Sequence, residues 1–283
     1  MDEKIDFYKI DNLLEEHSVE EVIQYKNKFI PKKLYKYNLL LDEKYLDFEL
    51  ENNKRLNSLE CNTIWLSNHK AFNDPFEFEM LAIDKERLKN TNWDIKDVEE
   101  QIDIFKERTL VSCFSSKVDN NMPMWAHYAN NHKGYCVEYL VEDPNMIFPV
   151  SYEGKRTKSA VILTNLVSEI YKSFQKKLTE PTEKFYKYFL YLYFSLCCKN
   201  NFWEYENEYR LLYCDLDKQI TSGKRININR VGLKVESIYV GLKCEEEYAK
   251  RIIKIGNKIN CNVYKMEFDK YGEDFGLIPR KIR

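Results

Sequence analysis

Apolar residues recur along this chain with two spacings, and the changes from one to the other mark out its elements. Helical spacing runs through "VEEVIQYKNKF" (19–29), with Ser18 and Glu21 placed for a capping box and Pro31 as the stop. It returns in "LDEKYLDFELENNKRLNSL" (41–59), in "IKDVEEQIDIFKER" (95–108), in two long segments at 158–178 and 180–200, and in "CEEEYAKRIIKIGNKI" (244–259). Runs rich in β-branched and aromatic residues predict strands at "KKLYKY" (32–37), "NTIWLSN" (62–68), "TLVSCFS" (109–115), "GYCVEYLV" (134–141), "EYRLLYC" (208–214), "VESIYVGL" (235–242) and "NVYKMEFD" (262–269). Strict strand-helix alternation fails in the middle. The pattern therefore predicts one α+β domain over 1–283, with a mixed or mostly antiparallel sheet, flanking helices and an inserted helical pair at 158–200.

Composition narrows the function classes. Lys and Arg total 44 against 46 for Asp and Glu, so no global field recruits nucleic acid or an anionic membrane. The start "MDEKIDFYKI" lacks the apolar core of a secretory leader, and the longest apolar run, "FYKYFLYLYFSLCC" (185–198), is broken by Lys187 and shorter than the roughly 20 residues of a membrane span. A cytoplasmic protein with no membrane partner is expected. The eight cysteines show no C-x-x-C pair and read as reduced, mostly buried thiols. With eight glycines the chain has no phosphate-cradling loop, dinucleotide fingerprint or nucleophile elbow, and the basic end "IPRKIR" reads as a solvated tail.

Three stretches carry candidate chemistry. In "MWAHYANNHKGYCVEY" (124–139) a short helix carries Trp125, His127 and Tyr128, with Pro123 in its first turn. His127 and His132 are five apart, hence about 140° around a helix, which argues against a shared metal and leaves two readings, a capping or packing role and a neutral His127 hydrogen-bonding a substrate. In "AFNDPFEFEM" (71–80), Asn73 and Asp74 lie between Phe72 and Phe76, expected to anchor a turn whose polar groups either face a cavity or satisfy their own backbone. In "FWEYENEYRLLY" (202–213), a strand starting at Glu206 would place Glu206, Glu208 and Arg210 on one face, with the carboxylates roughly 6.5 to 7 Å apart. Such a pair suits a ribose hydroxyl or a developing oxocarbenium; the plainer alternative is an ion-pair ladder between Arg210 and Glu208.

Together with "LYKY", "IWLSNHKAFNDPFE" and "VSCFSS", these stretches resemble, from about residue 33 to 214, the bacterial domain-of-unknown-function 2971 family, which names no activity. More distantly, the order "LYKY", "IWLSN", "YENEY" is similar to that of the ADP-ribosyltransferase superfamily. That resemblance implies Glu208 as catalytic glutamate, Glu206 as the acceptor-orienting one and Ser67 as the second-strand residue. It implies NAD as substrate and no metal, with a protein, nucleic acid or water as acceptor. Tyr35, Trp125 or Tyr128 would stack on nicotinamide, Asn73, Asp74 and His127 would bind ribose or phosphate, and Arg210 would share the site. Lys36 stands where the superfamily has arginine or histidine and offers a pyrophosphate only a point charge. A role in bacterial conflict or defence fits by association. Two other readings stay open: a non-catalytic sensor of a nucleotide or protein partner, and a metal-dependent nuclease or phosphoesterase built on Asp74, His127, Glu206 and Glu208.

Overall fold

The computed structural model describes residues 4–89, 93–119, 121–159, 161–176, 180–215, 222–273 and 275–283. Among these, ten strands form the main sheet: β1 (Lys33–Asn38), β2 (Thr63–Asn68), β3 (Thr109–Ser115), β4 (Tyr135–Val141), β5 (Ile147–Pro149), β6 (Glu208–Cys214), β7 (Gly223–Asn227), β8 (Leu233–Val240), β9 (Asn262–Phe268) and β10 (Leu277–Lys281). The order is β7-β2-β3-β1-β4-β8-β9-β10, with β6 paired to β3 and β5 off that path. Only β8 and β9 run parallel, joined by the helix that such a crossover requires. This is the mixed, mostly antiparallel α+β architecture that the hydrophobic pattern predicts.

The helices that cover it are α1 (Phe7–Glu16), α2 (Val19–Asn27), α3 (Phe48–Glu60), α4 (Ile95–Arg108), α5 (Met122–Tyr128), α6 (Val161–Gln175), α7 (Glu183–Leu196) and α8 (Glu246–Ile259). The capping box opens α2: Ser18 N–H donates to Glu21 Oε2 at 2.8 Å, and Glu21 N–H to Ser18 Oγ at 3.3 Å. On one face of the sheet, Leu56 of α3 and Ile252 and Ile255 of α8 pack on Leu34, Leu66, Phe114, Val137 and Leu211. On the other, Phe7, Ile10, Tyr191 and Phe194 of α1 and α7 pack on Val111, Phe148 and Leu212, while Trp125 of α5 packs beside Tyr37 and Cys136. Helices α6 and α7 are thus in contact with each other, and α7 is in contact with the sheet's core. Among the described residues no helix is long and apolar enough to cross a membrane.

Several boundaries differ from the sequence expectation. Helix α3 begins only at Phe48, because Asp47 adopts a left-handed φ of 59° that breaks the run from 41. The 158–178 and 180–200 segments yield shorter helices: Thr157–Ser159 pairs as a strand with Leu81–Ile83, and Cys198–Asn200 with Ser151–Glu153. Residues 160 and 177–179 of that stretch lie outside the described residues. Helix α1, capped by Asp6 accepting from Tyr8 N–H, was absent from the expectation. The basic end is an edge strand and not a solvated tail, since β10 pairs residue by residue with β9 and Leu277 is buried.

Candidate functional site

The site begins with a gap in the sheet. Strand β6 pairs with β3 along its whole length, from Cys214 opposite Thr109 to Glu208 opposite Ser115, so both remaining partners share the other edge of β3. Strand β2 holds that edge only at Val111 and Leu110, and β1 only at Ser115. Between these points β1 leaves with β4 and β2 leaves with β7, and the edge at residues 112–114 is bare of a partner strand. A cavity of about 810 Å³ fills the opening, large enough for a nucleotide.

A buried charge cluster stands on one wall. The sequence reading put Glu206 on the strand with Glu208; instead Glu206 ends a 3-10 turn, Asn201–Glu206, and Asn207 at φ 45° swings the chain into β6, which starts at Glu208. The two carboxylates still converge, through Lys199, whose Nζ is 2.6 Å from Glu206 Oε2 and 3.2 Å from Glu208 Oε2. Arg210 grips Glu208 with two hydrogen bonds and reaches Glu77 Oε1 at 2.6 Å. The Tyr128 hydroxyl donates to Glu206 Oε1, and the Tyr152 hydroxyl accepts from Glu208 N–H at 2.8 Å. Lys199 also lies 4.8 Å over the Trp203 ring.

Three carboxylates therefore share two cations, Lys199 and Arg210, inside the protein. Burial pushes all three carboxyls upward. For Glu208 the guanidinium of Arg210 and then the ammonium of Lys199 outweigh it, holding this group well below the usual carboxylate range. For Glu206 burial and the Glu208 charge prevail over Lys199, so its carboxyl is raised; Glu77 is raised by burial as well. Two neighbouring carboxyl groups are thus shifted in opposite directions.

Most of the residues expected from the sequence line this cavity: Tyr35, Lys36, Ser67, Asn73, Asp74, His127, Tyr128, Glu206 and Glu208. Two do not. Trp125 is fully buried, its indole N–H donating to Val118 O at 3.0 Å and its ring between Tyr37 and His132, so it has no face to offer a ligand. Arg210 is enclosed by Glu77, Glu208 and the Leu196 carbonyl, so its role is to hold carboxylates and not substrate. Asp74 makes the turn that satisfies its own backbone, accepting from Phe76 N–H at 2.9 Å, while its residue borders the cavity. Phe76 is exposed rather than an anchor; Phe78, stacked on His69 at 5.3 Å, takes that place. His132 lies beyond the end of α5, at φ 68°.

Lys199, Glu77 and Trp203 were missed. The one signal for Lys199 is a single cation closing the apolar run "LYFSLCC", and Glu77 lies within "AFNDPFEFEM". Among the described residues no group of three or more His, Cys, Asp or Glu side chains is placed to hold a metal ion. All eight cysteines are free thiols, four of them buried.

No curated protein and no solved structure matches the chain. The first-strand and second-strand motifs, "LYKY" and "IWLSN", lie outside the one stretch for which a family is found. Residues 124–211, which run from α5 into β6 and carry Tyr128, Lys199, Glu206 and Glu208, match a family described as Protein of unknown function (DUF2971).

Proposed function

We propose that the cleft is the active site of an enzyme acting at the glycosidic bond between a ribose and its base, with NAD as substrate and nicotinamide as the leaving group. The observation that carries the reading is the pair Glu206 and Glu208, one carboxyl raised and one held ionised, on the wall of a nucleotide-sized cavity. Environments that separate two neighbouring carboxyls in this way define acid/base assignments. Glu208, ionised, supplies negative charge to the oxocarbenium that forms as the base departs. Glu206 takes the proton from the attacking water or acceptor hydroxyl, with Tyr128 and Lys199 orienting its two oxygens.

The test is incubation of the purified protein with NAD in the presence of EDTA, with free nicotinamide followed by mass spectrometry. Release by the wild type and its loss in a folded Glu206→Gln variant support the reading. Nicotinamide release that is absent from the wild type overturns it. A second reading, a non-catalytic nucleotide sensor, is favoured by the saturation of Glu208, whose two oxygens are already engaged by Arg210 and Lys199. Under that reading Glu206→Gln alters affinity and there is no turnover to lose.

A further inference from the structure

Among the described residues, the non-glycine residues with positive φ are asparagine, aspartate or histidine, with one exception, Phe78 at 63°. A bulky side chain is disfavoured in that conformation, because its Cβ crowds the following carbonyl, so the surrounding structure must hold it there. What holds Phe78 is the site. Its buried ring stacks on the His69 imidazole, whose proton affinity burial lowers, and lies 5.9 Å from the guanidinium carbon of Arg210. The residue before it, Glu77, brings Oε1 to 2.6 Å from Arg210 Nη1. Two turns shape this segment, Glu77 N–H donating to Asp74 O at 3.1 Å and Glu79 N–H to Phe76 O at 3.0 Å. A strained backbone thus delivers a carboxylate and a ring to one guanidinium.

Arg210 has no need of that carboxylate for its own charge. Glu208 already grips it with two hydrogen bonds, and Lys199 pairs with Glu206 and Glu208. Without Glu77 two carboxylates would match two cations. With it three carboxyls share them, and none of the five side chains is more than 7 % exposed. A surplus charge so far from water is neutralised by a proton. Glu208, held by Arg210 and Lys199 together, is the poorest place for it, which leaves Glu77 and Glu206. These two feel each other through common neighbours: the Glu208 charge acts on both, and both act on Lys199. The other titratable groups around the cluster supply no compensating charge. Burial raises the phenols of Tyr128, Tyr152 and Tyr205 and the thiols of Cys113 and Cys197, which keeps them neutral. Lys36 Nζ donates to the Cys113 carbonyl at 3.3 Å, with no carboxylate in ion-pair reach among the described residues, and burial lowers its proton affinity.

We infer that Glu77 is a positioning residue for Glu206: as the third carboxyl on two cations it makes the cluster keep one proton, which the two glutamates share. Its bearing on catalysis rests on the activity proposed above; the shared proton does not. The test is carboxyl titration by carbon-13 NMR on labelled protein without ligand, in the wild type, Glu77→Gln and Glu206→Gln, each checked for fold by circular dichroism. Each variant identifies the resonance it removes. In Glu77→Gln the Glu206 carboxyl binds its proton at least about tenfold more weakly than in the wild type, and in Glu206→Gln the Glu77 carboxyl does the same. A wild type in which neither carboxyl titrates above the ordinary range overturns the inference, as does an unmoved partner midpoint in either folded variant. A merely structural Glu77 would change stability and leave the Glu206 midpoint in place. In the NAD assay, Glu77→Gln moves the acidic limb of turnover to lower pH. The two claims fail separately. Coupled titration without nicotinamide release sinks the activity alone, whereas nicotinamide release with an unmoved Glu206 midpoint in Glu77→Gln sinks the role of Glu77 alone.

Discussion

Arg210 and Glu208, neighbours on one face of β6 and both buried, are joined by two hydrogen bonds, Nε to Oε1 at 2.9 Å and Nη2 to Oε2 at 3.1 Å. The ion-pair ladder considered from the sequence is therefore present, but buried and bidentate instead of solvated. A pair of this kind fixes geometry, because removing either partner upsets the charge balance of a buried cluster. Glu206 is different: its partners are one ammonium and one phenol, and its carboxyl is raised where that of Glu208 is held down.

The two glutamates should accordingly part company on mutation. Glu208→Ala is expected to cost about 3 to 5 kcal/mol of stability by leaving the buried Arg210 with Glu77 alone and Lys199 with Glu206 alone. Glu206→Gln keeps the shape and the neutral form, and is expected to stay within about 1 kcal/mol of wild type while abolishing nicotinamide release. Urea unfolding of both variants, read beside the NAD assay, checks the contrast.

How far the sequence reached can be judged on these residues. Strand-favouring residue types placed β3 at its true bounds, and it is buried almost throughout. The same reading failed at Glu206, where a left-handed Asn207 interrupts a pattern that reads as strand on side-chain types alone. Asparagine tolerates that conformation, so the signal was present but weak. Lys199 was invisible for another reason: its partners are seven and nine residues away across a 3-10 turn, a spacing no helical or strand periodicity encodes. The gap between β1 and β2 is likewise a property of pairing, which local pattern does not contain.

A second outcome concerns Lys26, fully buried in the last turn of α2, where burial pulls its ammonium down to about 7. A lysine whose folded pKa lies below its unfolded value leaves the unfolded chain holding more protons between the two, so stability rises with pH from about 7 toward about 10. Lys26→Met removes this slope and leaves three carbonyls short of a donor, a loss of about 2 to 4 kcal/mol. Unfolding free energies of the two proteins at several pH values give both numbers; parallel pH curves would sink the assignment.

Removal of residues 276–283 tests the edge strand. A solvated tail would be dispensable, whereas β10 supplies five register positions to β9, buries Leu277 against the cluster of Met266 and brings the Arg283 guanidinium to the Cys261 carbonyl. Loss of Leu277 burial alone is worth about 2 kcal/mol, and a drop of several degrees in Tm is expected for the shortened chain. An unchanged Tm would contradict the pairing.

The pH dependence of turnover bears most directly on Glu206. Its carboxyl is raised by burial and by the Glu208 charge, and must be ionised to take a proton from the acceptor. Activity should therefore climb with pH through an acidic limb whose midpoint lies above the ordinary carboxylate value, a midpoint that belongs to the coupled pair. Lys199 is the cation that opposes the shift, so Lys199→Met should move the limb further up in pH; a merely structural lysine would lower the rate without moving it. Stability carries the opposite signature. With a folded pKa above the unfolded one, Glu206 contributes stability that is fully present below the unfolded value and lost as pH rises through the folded value. Glu208, shifted down, contributes stability above its unfolded value that is lost as pH falls through its folded value. A rising activity limb over a pH range in which Glu206 is giving up stability would mark the ionised Glu206 as the working form, and a limb that falls with pH would assign it the role of acid instead.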